Sequence, residues 1–126
     1  MRLWHQELIS YLPRQQLLGQ HREICALRGL GWGKPHSIIN YVFDYPYDYL
    51  YQFHVLVMIE MEKRGYHVDP LWKMSYYRGK NVGDDRSIFT ERYIIERTMI
   101  YPEHNQHYYK ECIDNLESKG VHLNFK

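Results

Sequence analysis

Arg22 and Glu23 are the pair in this sequence whose types and spacing best suit chemistry. They fall on the polar side of a segment with helical periodicity. Gly19 and Ala26 stand about one turn before and after Glu23. Small neighbours leave a shallow groove through which a ligand can reach the carboxylate, and an arginine beside it suits a phosphate. A carboxylate so placed can stabilise a cation or carry a proton. The plain alternative is a pair of solvated surface charges, and helical pattern alone favours that alternative.

Other chemistry-bearing residues are weaker signals. His21 and Cys25 lie at i, i+4, and His104 and His107 at i, i+3, spacings that can bind metal. Neither pair has a third ligand evident in sequence, so the histidines read as structural and no metal or cofactor is expected. Cys25 and Cys112 make no disulfide framework and no CxxC pair, which reads as two reduced structural thiols in a cytosolic protein. Trp72-Lys73, Tyr76-Tyr77-Arg78-Gly79-Lys80 and Arg86 interleave aromatics with bases, as phosphate- or single-strand-binding loops do. Tyrosine-rich loops also pack structurally.

Three helical segments must position these groups. The first begins at Pro13, a good first helical residue, and runs to Arg28 before Gly29. Leu17, Leu18, His21, Ile24 and Cys25 form its apolar stripe, and Gln15, Gln16, Gly19, Arg22, Glu23 and Ala26 its opposite face. A shorter helix before it would carry Trp4, Leu8, Tyr11 and Leu12 on one side. The second segment opens at Tyr45-Pro46 and closes at Arg64-Gly65. Its broad apolar surface, with Tyr47, Leu50, His54, Val57 and Met61 spaced 3-4-3-4, predicts the central buried helix. The third opens at Tyr101-Pro102 and closes at Lys119-Gly120, with Tyr109, Cys112, Ile113 and Leu116 facing inward. Each helix ends in a base and a glycine, which suits the helix dipole and a left-handed cap. Residues 69–86 read as irregular, and 88–100 as a further helix with some strand character. The predicted core joins Leu17, Ile24, Leu50, Val57, Ile113 and Leu116.

The chain has 126 residues, the size of one compact domain, so a single all-α domain over residues 1–126 is expected. No apolar run is long enough to cross a bilayer, the best candidate at 55–59 stopping at Glu60. The first residues carry charge and do not read as a signal peptide. A cytoplasmic monomer is the expectation. The formal net charge of +1 does not announce a nucleic-acid binder, but its distribution is uneven. Up to Phe43 the bases Arg2, Arg14, Arg22, Arg28 and Lys34 face only Glu7 and Glu23. Over residues 44–69 the acids Asp44, Asp48, Glu60, Glu62 and Asp69 face only Lys63 and Arg64. Such asymmetry suggests a one-sided field, although many enzymes share it.

The run Gln15-Gln16-Leu17-Leu18-Gly19-Gln20-His21-Arg22-Glu23 resembles the block that holds the catalytic Arg-Glu pair of the pyrimidine-dimer DNA glycosylase family, the phage endonuclease V-like proteins. The pair falls at the same distance from the chain start. Tyr47-Asp48-x-Leu50 through Glu60-Met61-Glu62-Lys63-Arg64-Gly65-Tyr66 resembles the family's central helix and its Lys-Arg-Gly ending, and His36 matches a family histidine. Together these matches cover roughly the first seventy residues; the last third matches loosely, through aromatic and basic residues. The resemblance implies a compact helical fold and a DNA-repair chemistry. The protein's own terminal amine attacks C1′ of a damaged nucleotide, an imine forms, and a carboxylate assists β-elimination. Glu23 would be that carboxylate, and Arg22 would grip a phosphate. Arg2 is too bulky to permit removal of the initiator methionine, so the amine would belong to Met1. Leu3 and Ala26 stand where the family carries basic residues, and the connection from Leu27 to His36 is shorter. The site implied comprises Glu23 and the Met1 amine, with Arg2, Arg14, Arg22, Lys34 and His36 on the nucleic acid. The partner is duplex DNA with a damaged or abasic site. Two rivals remain. One is a non-catalytic DNA- or RNA-binding protein of the same fold, the other a small metal-binding or scaffold protein.

Overall fold

The computed structural model describes residues 2–34, 39–87 and 99–125. Among them are three α-helices, α1 (Arg14–Arg28), α2 (Tyr47–Lys63) and α3 (Gln106–Ser118). Short 3₁₀ helices occupy Gln6–Tyr11, Asn40–Asp44 and Pro70–Lys73, and no strand is present among the described residues. The expected all-α class is what forms. Residues 88–98, which hold most of the fourth expected helix, lie outside the described residues, as do Met1 and 35–38.

The amino-terminal helix forms as one 3₁₀ segment. His5 caps it by accepting from the Glu7 N–H, and Leu8 and Ile9 are buried. Trp4, Leu8 and Leu12 pack inward, whereas Tyr11 stays exposed against Phe125, with ring centroids 4.9 Å apart. Pro13 proves to be the cap of α1 and not its first residue; its carbonyl accepts from the Leu17 N–H at 3.0 Å. The glycine after α1 also departs from expectation. Gly29 has φ −90°, so it is no left-handed cap. Its smallness serves a close approach: a Cβ there would stand 3.0 Å from the Arg78 carbonyl oxygen.

Helix α2 is the central element, as its stripe predicts. Tyr47, Leu50, His54, Val57 and Met61 are all buried, and Leu17 and Ile24 of α1 join them in the core. It ends at Gly65, φ +84°, where the Tyr66 N–H returns to the Met61 carbonyl. Arg64 donates to Glu60 at 2.7 Å and to the Leu12 carbonyl at 2.6 Å, which ties this end to the amino-terminal segment.

The start of α3 corrects the sequence reading. Tyr101-Pro102 does not open the helix; Tyr101 is fully buried and its ring meets those of Tyr41, Tyr45 and Tyr49. The helix begins instead after Asn105, whose side chain accepts from the Tyr108 N–H. Cys112 and Leu116 are buried, while Tyr109 and Ile113 are only half-buried against the core.

A candidate active site beside the amino-terminal segment

The chain from Arg2 to Trp4 lies against α1, and side chains of α1 and α3 hold its backbone. Gln20, buried on α1, accepts from the Trp4 N–H at 2.7 Å and donates to the Arg2 carbonyl at 3.0 Å. Tyr108 of α3 donates to the Leu3 carbonyl. The Arg2 N–H favours the charged form of the Glu23 carboxylate. Glu23 lies one helical turn from Gln20, within the electrostatic reach of the first residues.

Glu23 is half-buried, and its carboxyl is shifted above the ordinary carboxylate range. Burial is the main cause, because the charged form loses water. The positive charges of the amino terminus, Lys119 and Arg22 and the Arg2 N–H pull the other way. A carboxylate partly desolvated and ringed by cations can both stabilise a developing positive charge and exchange a proton. Gly19 keeps the approach open, since a Cβ there would meet nothing within 4 Å but the Arg22 guanidinium, at 3.9 Å.

The expected nucleic-acid residues are spread. Arg22 is exposed beside Glu23. Arg14 is exposed at the far end of α1, about 13 Å along the axis from Glu23, and its guanidinium lies over Tyr66 at 5.6 Å. Lys34 is exposed beyond the other end. Arg2 turns inward: its guanidinium lies 5.8 Å from the rings of both Trp4 and Tyr108 and pairs with Glu111 at 3.5 Å. Met1 and His36 lie outside the described residues.

Lys119, at the end of α3, escaped the sequence reading as a site residue. Its ammonium sits 5.4 Å from the centre of the Trp4 ring, and its charge acts on Glu23. In sequence it reads as a helix-terminal base, and nothing local reveals its approach to residues so distant in the chain.

A second cluster lies between α1 and α2. Nε2 of His54 is 2.8 Å from Nδ1 of His21, and Cys25 Sγ lies 3.7 Å from His21 Nε2 and 3.9 Å from His54 Nε2. His54 is the third donor that the His21–Cys25 spacing lacked, and together the three have the composition of a cation site. Arg28 opposes that use. It donates to Nδ1 of His54 at 2.8 Å, so the neutral ring keeps its proton on Nε2, the atom a metal would need. A metal-bound histidine instead directs its other N–H to an acceptor. Burial and the Arg28 charge hold His54 well below the usual histidine range. Burial pushes the Cys25 thiol up to about 12, with the Arg28 charge pulling the other way. The other spaced pair is not a pair in space. His104 is buried, accepting from the Gln6 N–H at 3.1 Å and meeting the Tyr41 hydroxyl at 2.9 Å, while His107 is exposed on the first turn of α3.

The aromatic and basic loop at 72–86 is largely bound up in the fold. Arg78 donates to the Arg28 and Gly29 carbonyls and pairs with Asp85 at 3.0 Å. Lys73 pairs with Glu62 at 2.6 Å, and the Arg86 guanidinium lies over Tyr76 at 4.0 Å. Lys80 stands at the rim of a cleft of about 410 Å³ that also touches Ala26, Gly31 and Trp72.

No described helix is long and apolar enough to cross a membrane. No curated protein and no solved structure matches the chain. A family model for pyrimidine dimer DNA glycosylase matches residues 1–74, which include the amino-terminal segment, all of α1 with Arg22 and Glu23, and all of α2. The chain thus belongs to the pyrimidine dimer DNA glycosylase family, whose substrate is DNA in need of repair.

Proposed function

We propose that this protein is a DNA glycosylase with abasic-site lyase activity, using the Met1 amine as nucleophile and Glu23 as its carboxylate. The observation that carries the reading is Glu23 itself, half-buried on α1 and subject to the charges of the amino terminus, Lys119 and Arg22. A terminal amine has a reference pKa of about 8, so a useful fraction is unprotonated near neutrality. Its lone pair attacks C1′, and the base departs with the electrons of the glycosidic bond. The sugar ring opens, O4′ gains a proton, and the C1′–N bond becomes an imine. Removal of a C2′ proton, assisted by Glu23, expels the 3′ phosphate oxygen, and water then hydrolyses the imine to free the amine. Arg22 and Lys119 supply positive charge for the phosphates flanking the extruded nucleotide. The protein acts as a single cytoplasmic domain and as a monomer in this proposal.

Borohydride trapping on a duplex with one abasic site tests it, because that substrate needs imine chemistry but no recognition of a lesion. A covalent adduct mapped to Met1 is the expected result, with intact mass establishing that the amine is free. A protein with a free Met1 amine that neither traps nor cleaves would instead be a DNA- or RNA-binding member without catalysis.

A further inference from the structure

We propose that Gln20 is a positioning residue that sets where the terminal amine stands; this rests on the proposed reading for its catalytic consequence but not for its geometry. Its carboxamide spans the first residues as a two-pronged bracket, accepting from the Trp4 N–H at 2.7 Å and donating to the Arg2 carbonyl at 3.0 Å. Those two atoms flank Leu3, whose side chain is fully buried and whose carbonyl accepts from Tyr108. Three backbone groups of residues 2–4 are therefore held from two helices, and Arg2 is joined to Met1 by one rigid, planar peptide unit.

The choice of side chain is specific. Gln20 is 1 % exposed, so any unmet backbone group beside it costs stability. Only a side chain that presents a donor and an acceptor together satisfies both prongs. Glutamate supplies two acceptors when ionised and leaves the Arg2 carbonyl without its donor. It becomes equivalent to glutamine only when protonated. Gln20 lies one turn before Glu23 on the same helix, so α1 acts as a rigid ruler between the carboxylate and the start of the chain. Met1 is one residue farther out than an amine on residue 2 would be, and a longer tether needs a firmer anchor to keep its reactive atom near C1′. Misplacement by about 1 Å is enough to cost on the order of a hundredfold in rate.

The test uses the full-length protein and two readouts. One is the pH midpoint for acylation of the Met1 amine by a small reagent, mapped by mass spectrometry without DNA. The other is the single-turnover rate of borohydride trapping on an abasic duplex. Gln20→Met should shift the acylation midpoint, because the first residues lose their anchor on α1. It should slow trapping by about tenfold or more while abasic-DNA affinity holds within about twofold. Gln20→Glu should trap poorly near neutrality and recover toward acid pH as its carboxyl protonates, against the wild-type trend of losing free amine. That recovery decides the matter even if Gln20→Met folds poorly. Unchanged midpoint and unchanged trapping in both variants overturn the role of Gln20 and leave the proposed activity standing. A wild type that never traps, but whose acylation midpoint still depends on Gln20, overturns the activity and keeps the bracket.

Discussion

Arg28 donates a terminal N–H to Nδ1 of His54 across 2.8 Å, at a point where α1 and α2 are packed face to face. The bond sets the direction of the protons beyond it. His54 must carry its proton on Nε2 and donate to Nδ1 of His21, 2.8 Å away, which leaves His21 to present Nε2–H toward Cys25. Arg28 is fully buried, and its remaining donors reach the Tyr47 hydroxyl and the carbonyls of Trp72, Met74 and Tyr77 at 2.7–3.0 Å. All five of its N–H groups are thereby used.

Arg28→Met keeps the aliphatic stem and removes every donor. Three carbonyls, a hydroxyl and an imidazole lose their partner at once, so the expected loss is about 3–5 kcal/mol of unfolding free energy by urea denaturation. Arg28→Lys should recover little, since one ammonium cannot reach both ends of the planar fork. A loss below about 1 kcal/mol would mean that the 72–77 loop docks without it.

Acid should destabilise the fold from the histidine range downward. Burial depresses both His54 and His104, His104 to about 3. A histidine whose pKa is lower folded than unfolded adds stability that is complete above its unfolded value, about 6.5, and drains away as pH falls. Between about pH 7.5 and about pH 5.5 each should remove about 1.4 kcal/mol, or roughly 2.7 kcal/mol for the two. Urea midpoints that stay level over that interval would show that these rings ionise freely in the native state.

The parts of the molecule legible in sequence are those fixed by neighbours along the chain. The stripe of Leu50, His54, Val57 and Met61 defines α2 because each residue lies one turn from the next, and all are buried. Glu23 stood out for the same local reason, with Gly19 and Ala26 beside it. Arg28 read as a base complementing a helix end, but its carbonyl partners lie more than forty residues away, so its burial left no local trace. Gln20 and Lys119 were missed similarly, since each meets the amino-terminal segment only once the helices have packed. Tyr101-Pro102 copies the start of α2, yet Asn105 offers a better cap and the core takes the Tyr101 ring.

Duplex affinity should depend on the two exposed bases near Glu23. Arg22→Ala and Lys119→Ala should each weaken binding to an abasic duplex. Each should also flatten the log–log salt dependence by about 0.9 for every phosphate that is no longer neutralised. Arg14→Ala, about 13 Å away along α1, should change the slope only if the footprint runs the length of that helix. Unchanged affinity in the Arg22 variant, by fluorescence anisotropy at two salt concentrations, would move the DNA to another face.

Glu23→Gln should separate the steps of the reaction and shift stability in the opposite sense. The substitution preserves shape and removes the charge that stabilises the cationic sugar and assists proton removal at C2′. Strand cleavage should fall about a hundredfold or more, a few kcal/mol of barrier. Imine formation depends on the amine, so borohydride trapping should persist. For stability, burial raises the Glu23 carboxyl above its ordinary range, so the native state favours the protonated form. That contribution is present below the unfolded pKa and is lost as pH rises through the folded one, and at neutral pH the charged group works against folding. Glutamine stays neutral throughout, so the variant should melt no lower than wild type near neutral pH. A variant that cleaves at the wild-type rate, with trapping intact, would remove Glu23 from the chemistry while leaving the amine in place.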